Sequence, residues 1–308
     1  MSSILISHLD LDGLGSVILS LFYNIPFNEI WCWKNDYYDI NTLSKHQTIV
    51  FADLSISEDV YKSLIKIKKN VYIFDHHETS SWISKYKSNK NIININECGT
   101  KIFYKNFINP EVINSNVETF VNLVDVYDRW QTHEEKWKDA LNLQRIFSYY
   151  VSYSTNALIY KNGEMYDNPY SRFINNMLYK LHSNEFKFNR CENEIINTMI
   201  DEEKEAYELA LDNIKFRVDN KNINFGIYEC SNYASIIANK LLEEYTEIKY
   251  LIILYPKNKS KLSLRSRNDF NCLSFKGLKG HRNACGGVFS EKYIDDLYEG
   301  KIHQLAYK

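Results

Sequence analysis

The sequence predicts an α/β protein, with an N-terminal domain built on a parallel sheet and a smaller C-terminal α/β domain. Three observations carry this. Through the first hundred residues, short uninterrupted apolar runs alternate with helical periodicities, the pattern of strands covered on both faces. An aromatic middle region then leads into one long charged helical stretch, as in helices that bridge domains. Beyond that stretch the strand–helix alternation resumes. The expected division is a first domain over residues 1–185, a linker helix over 186–219 and a second domain over 220–308.

The elements follow in order. Residues 4–7 (ILIS) read as a strand, and 13–23 as a helix with small residues where it begins. Residues 48–53 (TIVFAD) form a second buried strand. Residues 57–69 fit a helix, with Ser57 able to cap its start and lysines near its end. Residues 71–75 (VYIFD) are a third strand and 92–95 a fourth, followed by a helix around 100–107. From 130 to 188 aromatic residues abound without a clean period. Tyr149, Tyr150 and Tyr153 there offer rings on which bases can stack, as in single-strand binders, but such clusters more often belong to a core, and core is the reading taken. Residues 191–216 read as the long helix. After it come a strand (INFGIYEC), a helix over 233–245, a strand over 250–255 and a strand over 261–266 before a glycine-bearing loop.

Composition narrows the function. Apolar residues make up 44% of the chain and charged residues 25%, ample for a packed core. A net charge of −2 speaks against a general binder of long duplex nucleic acid, while a local basic patch would still serve a small anion. The six cysteines, Cys32, Cys98, Cys191, Cys230, Cys272 and Cys285, include no Cys-x-x-Cys pair. With no signal-peptide pattern and no apolar stretch long enough to span a bilayer, a reduced, cytoplasmic protein without membrane attachment is expected. The sequence leaves room for a homodimer.

The acids at the strand ends hold the chemistry. His8, Asp10 and Asp12 occupy alternate residues directly after the first strand, and alternate side chains of an extended segment point the same way. Asp53 closes the second strand, and Asp75 closes the third with His76 and His77 behind it. Ligands of open parallel sheets bind beyond the carboxyl ends of the strands, so these segments converge on one cleft. Each Asp taken alone is more often a turn or cap residue than a ligand. Together the carboxylates repel, and divalent cations would offset that repulsion. Mixed His and Asp donors favour Mn²⁺, Fe²⁺ or Zn²⁺ over Ca²⁺, and this many donors suits two ions sharing a carboxylate, a recurrent device for hydrolysing phosphate esters.

The order and spacing of His8-x-Asp10-x-Asp12-Gly13, Asp53 and Asp75-His76-His77 resemble the first three motifs of the DHH phosphoesterases. The segment VDVYDRW over residues 124–130 resembles the fourth motif of the nanoRNase B-like branch of that family. The resemblance implies Mn²⁺ as cofactor, one ion on His8, Asp10 and Asp53 and a second on Asp12, Asp53, His76 and Asp125, with Asp53 bridging. Asp128 is the alternative to Asp125. It implies that Asp75 orients its neighbours and that His77 stands by the scissile phosphate as a catalytic group. In the second domain, residues 263–267 (SLRSR) resemble the family's Arg-Ser strand, and 279–287 (KGHRNACGG) its glycine-rich Gly-His motif, with Leu278 and Lys279 interrupting the usual run of glycines. The substrate-binding residues implied are Arg265, Ser266, Arg267, Gly280, His281, Gly286 and Gly287. Backbone N–H groups around glycines can cradle a phosphate and arginines can grip one through paired donors.

The function expected is a metal-dependent phosphodiesterase that trims short single-stranded RNA or DNA oligonucleotides to mononucleotides, with the 3′-to-5′ direction implied by the resemblance. The same site would also suit cyclic or linear dinucleotides, cyclic mononucleotides or 3′-phosphoadenosine 5′-phosphate. A non-catalytic nucleotide sensor ranks low, because the residues of the first three motifs are all present.

Overall fold

The computed structural model describes residues 2–33, 40–86, 91–151, 157–267 and 269–299. Tyr153, one of the aromatic residues singled out above, lies outside the described residues. The chain divides into two compact units, Met1–Ile196 and Asn197–Lys308.

The first unit contains strands β1 (Ser3–His8), β2 (Glu29–Trp33), β3 (Thr48–Ala52), β4 (Asn70–Asp75), β5 (Asn91–Ile93), β6 (Ala157–Lys161) and β7 (Glu164–Met165). Its helices are α1 (Leu11–Phe22), α2 (Ile40–Ser44), α3 (Glu58–Lys66), α4 (Gly99–Phe103), α5 (Ser115–Asp128), α6 (Trp137–Tyr150) and α7 (Pro169–His182). The strands form one sheet in the order β5-β4-β3-β1-β2-β6-β7. β1 through β5 are parallel, whereas β6 and β7 run antiparallel at one edge. Alternation within the strands splits the apolar residues cleanly. Ile4, Ile6, Ile49, Phe51, Val71 and Ile73 pack with Leu43, Tyr61 and Leu64 from α2 and α3. Leu5, Val50 and Phe74 pack on the opposite face with α1 and α4–α7. Both faces are thus covered, which is why the central strands read as unbroken apolar runs.

The order β2-β1-β3-β4-β5 reverses direction between β1 and β3, and such a switch point opens a crevice at the strands' carboxyl ends. The sequence motifs at the ends of β1 and β3 flank that crevice.

The bridging helix α8 (Arg190–Asn213) crosses the unit boundary. Its start is fixed in the first unit by a reciprocal cap, in which Asn189 N–H donates to Glu192 Oε2 at 2.7 Å and Glu192 N–H to Asn189 Oδ1 at 3.0 Å. It ends three residues earlier than expected, because residues 215–218 form a strand rather than the tail of a linker helix. The second unit holds β8 (Lys215–Val218), β9 (Asn224–Glu229), β10 (Tyr250–Leu254), β11 (Lys261–Ser266), β12 (Lys279–His281) and β13 (Ala284–Val288), with helices α9 (Ala234–Glu244) and α10 (Glu291–Tyr298). The sheet order is β12-β13-β11-β10-β9-β8. Phe225, Ile227, Tyr250, Ile252, Leu262 and Leu264 pack on one face with α10. Tyr228, Leu251 and Ile253 pack on the other with α8 and α9. No helix among the described residues is long and apolar enough to cross a membrane.

The aromatic middle region is core only in part. Phe147 is buried against Phe173 and Tyr150 packs beside it, but Tyr149 is 56% exposed.

Candidate functional site

The carboxyl ends of β1, β3 and β4, with the start of α4 and the end of α5, bring the acids and histidines of the first unit together. His8 closes β1, and its Nδ1 lies 2.5 Å from Asp10 Oδ2 and 4.0 Å from Asp53 Oδ2. Asp10 also caps α1, its Oδ1 accepting from Gly13 N–H at 2.9 Å. The chain turns so tightly there that a Cβ on Gly13 would fall 2.1 Å from the His8 carbonyl oxygen, so only glycine fits. Asp12, in the first turn of α1, is buried and accepts N–H bonds from Gly99 at 2.6 Å and Thr100 at 2.7 Å. Asp53 follows β3 with φ +53°, in the left-handed region, and is 2% exposed. His76 Nε2 lies 3.1 Å from Asp53 Oδ1 and 3.6 Å from Asp12 Oδ2, and its Nδ1 lies 3.5 Å from Asp128 Oδ2.

Within the first unit three groups of donors result: His8, Asp10 and Asp53; Asp12, His76 and Asp128; and Asp53, Asp75 and His77, with the donor atoms of each within 4.8 Å of one another. Asp53 Oδ1 stands between His76 and His77.

The structure places the two candidate acids of the fourth motif differently. The Asp125 carboxylate accepts from Cys98 N–H at 2.8 Å and from Lys101 Nζ at 2.7 Å, so it ties α5 to the start of α4. Asp128, one turn further along α5, is the acid that meets His76 and Asp12. The packing of α5 against α4 decides this, and no local pattern in VDVYDRW reveals it.

Asp75 is fully buried. Its Oδ1 accepts from His76 N–H at 2.9 Å and from His77 Nδ1 at 2.7 Å. Its Oδ2 accepts from Ser55 at 3.1 Å and from Ser80. Neither serine, nor Gly99 or Thr100, belongs to a sequence pattern that marks it for the site.

Electrostatics follow from this crowding. Burial, and then the carboxylates of Asp12, Asp10 and Asp128, push the Asp53 carboxyl well above the usual range. Burial, Asp12 and Asp10 do the same to Asp128. Burial would also raise Asp75, but the His77 ring and the Ser80 hydroxyl outweigh it and hold this carboxyl low. Burial opposes protonation of His77, yet the Asp75 carboxylate prevails and raises the imidazole to about 9.

A divalent cation fits this donor set. Asp53 Oδ1 and Asp128 Oδ2 are buried oxygens that accept no hydrogen bond, although ring nitrogens of His76 lie 3.1 and 3.5 Å from them. Leaving such atoms without a partner is costly, and mixed carboxylate and imidazole donors suit first-row transition ions.

In the second unit the register assigns faces. Arg265 pairs with Ala284, Ser263 with Gly286, and His281 with Ala284, so Arg265, His281 and Gly286 share one face. Gly287 pairs with Leu262 and Gly280 with Cys285 on the opposite, core-packed face, where Ser266 also lies. Ser266 is buried, with its hydroxyl donating to the Phe270 carbonyl at 2.9 Å. The glycine at 280 has φ +128° and passes too close to the Ala284 carbonyl for any Cβ, which accounts for it without a ligand. Arg267 lies past the end of β11, and its guanidinium donates to the carbonyls of Ile248 at 3.0 Å, Tyr245 at 3.2 Å and Leu242. It caps the end of α9. Arg265 Nη2 donates to Ser235 Oγ at 2.7 Å, in the first turn of α9.

No protein-family model matches the chain, and no curated protein matches it in sequence. Solved structures do. The DHH domain of a member of the s1p family of ribosomal proteins is 16% identical, with 99% of this chain and 87% of that one covered and a TM-score of 0.62. A pGpG-specific phosphodiesterase from Vibrio cholerae is 13% identical, covering 99% and 98%, with a TM-score of 0.54. RecJ from Thermus thermophilus, in complex with Mn²⁺, is 12% identical, covering 99% of this chain and 52% of that one, with a TM-score of 0.52. The chain therefore has the DHH-family fold.

Proposed function

We propose that this protein is a metal-dependent phosphodiesterase acting on short single-stranded oligonucleotides, releasing mononucleotides from the 3′ end. The observation that carries the reading is the convergence of His8, Asp10, Asp12, Asp53, His76 and Asp128 at the switch point, with two buried carboxylate oxygens unbonded. Similarity in fold to RecJ, solved with Mn²⁺, and to a pGpG-specific phosphodiesterase supports the class of chemistry.

In this reading His8, Asp10 and Asp53 hold one Mn²⁺, and Asp12, Asp53, His76 and Asp128 hold a second. Bound there, the cations would polarise the phosphoryl oxygen and lower the pKa of a bound water. Asp75 keeps His77 protonated and fixes its ring through Nδ1, so that His77 can give a proton to the departing oxygen. Arg265, His281 and Gly286, sharing one face of the second sheet, offer donors for a phosphate.

The test is incubation with Mn²⁺ and labelled RNAs of two to twenty-four nucleotides, in parallel with a linear and a cyclic dinucleotide, reading product masses. Mononucleotide release from the short RNAs supports the reading. Cleavage of the dinucleotides alone would reassign the substrate, and no cleavage of any of them would end the hydrolase reading.

A further inference from the structure

Helices α8 and α9 cover the Tyr228, Leu251 and Ile253 face of the second sheet over its β9 and β10 strands. α9 still reaches β11, where Ser235 meets Arg265, and the same face grows more exposed beyond it among the described residues: Val288 is 79% exposed, Lys279 is exposed, and Lys261, Arg265, His281 and Gly286 are half-buried. The charge on this half of the sheet is lopsided. Residues 248–290 contain nine Lys and Arg and a single acid, Asp269, in a chain whose net charge is −2. Asp269 is engaged with Lys249 at 2.6 Å. Strands β11–β13 and the hairpin over 255–260 contain no acid at all.

The cations are arranged along a line. Lys261, Ser263 and Arg265 alternate on this face, with Ser263 buried and the two cations half-buried, and Lys257 and Lys259 are exposed in the hairpin that feeds β11. Lys261 to Arg265 is four residues of strand, roughly 14 Å at about 3.4 Å per residue, more than one nucleotide needs. An aromatic ring stands in the line. Tyr255 shares a hydrogen bond with Ser263 Oγ at 3.0 Å, and Lys261 Nζ lies 4.5 Å from the centre of its ring. Cations spaced along an open strand with an aromatic ring among them are what a single strand's backbone and bases require, because phosphates take the charge and any base has a face to stack.

We propose that this face is an oligonucleotide track that begins at Arg265 and extends past Ser263 and Tyr255 to Lys261, Lys257 and Lys259, so that chains of about four nucleotides or more bind more tightly than dinucleotides. The track deepens the phosphodiesterase reading and rests on it for its biological use, although it can be tested apart from it.

The experiment uses the full chain in EDTA, so that binding is measured without turnover. Fluorescence anisotropy follows 5′-labelled oligothymidylates of two, four and eight nucleotides at several salt concentrations. Wild-type affinity should rise about tenfold from the dinucleotide to the octanucleotide. In K257A/K259A/K261A that rise should collapse, and the slope of log affinity against log salt for the octanucleotide should become shallower by about 2, at about 0.7 for each phosphate no longer neutralised. Equal melting temperatures show that the variant is folded. Should the triple variant fail to fold, K257A/K259A, confined to the exposed hairpin, should still remove about two-thirds of the slope change. Affinity independent of length, or a variant indistinguishable from wild type, overturns the track. Length-dependent binding by a chain that cleaves no phosphodiester with Mn²⁺ would uphold the track and overturn the hydrolase reading instead.

Discussion

Asp125 and Asp128 sit one helical turn apart, both acids at the end of α5, and their bonds give them different work. Asp125 satisfies Cys98 N–H and Lys101, whereas Asp128 turns a buried oxygen toward His76 and Asp12 with no donor on it. Asp125→Ala should therefore destabilise the metal-free protein by ~1–3 kcal/mol in chemical denaturation, through the buried N–H left without an acceptor. Asp128→Asn should leave that stability unchanged or raise it, because it removes a charge from the crowd, while weakening Mn²⁺ affinity by about a hundredfold or more in calorimetry. The reverse pattern would restore Asp125 as the ligand. At His77 the expectation is kinetic. Asp75→Asn removes the charge that keeps the imidazole protonated and should lower kcat by ~10²–10⁴, with Mn²⁺ affinity changed far less than by Asp128→Asn.

At the scale of elements, α4 is the buttress of the site. Its first turn supplies N–H groups to Asp12 and the preceding Cys98 supplies one to Asp125, and Gly99 lets it lie against Asp53, where a Cβ would come within 2.5 Å of the Asp53 Cβ. Gly99→Ala should force the helix away and cost ~1–3 kcal/mol, together with activity. The assembled acids also carry a pH signature. Asp53 and Asp128 have folded-state pKa values raised above those of the unfolded chain. A raised carboxyl binds protons more readily folded than unfolded, so its contribution to stability is lost as pH rises from the ordinary carboxylate range through the elevated value. Cations binding the deprotonated carboxylates reverse this. The melting temperature in Mn²⁺ should exceed that in EDTA by an amount that grows from pH 4.5 to pH 8, and a constant or shrinking difference would contradict the arrangement.

Much of this was legible in the sequence, and the failures have physical reasons. β1, β3 and β4 are buried on both faces, so their apolar runs and terminal acids read clearly, and the acids meet because the strands are parallel neighbours. β2 (EIWCW) and β6 (ALIYK) carry aromatic and charged residues near one edge of the sheet and left no such run. Arg267 looked like a partner of Arg265 by alternation, but the strand ends at Ser266, and the carbonyls at the end of α9 claim its guanidinium. A cation near a helix carboxyl end is a general preference that could have warned of this.

Over the whole molecule, each unit buries its own apolar clusters, Phe74 and Phe173 among those of the first and Phe225 and Tyr228 among those of the second. The six residues proposed to hold Mn²⁺ belong to the first unit. Because a ligand stabilises only the unit that binds it, Mn²⁺ should raise the temperature of one calorimetric transition and leave the other in place. The first unit is the one to move.

The most direct measurement is titration of metal-stripped protein with Mn²⁺, counting ions bound per chain by calorimetry. Wild-type protein should take up two ions, and Asp53→Ala, which removes the carboxylate proposed to bridge them, should bind one at most and only weakly. If the wild-type chain binds no Mn²⁺, or if Asp53→Ala binds as wild type does, then these histidines and aspartates do not form a metal centre.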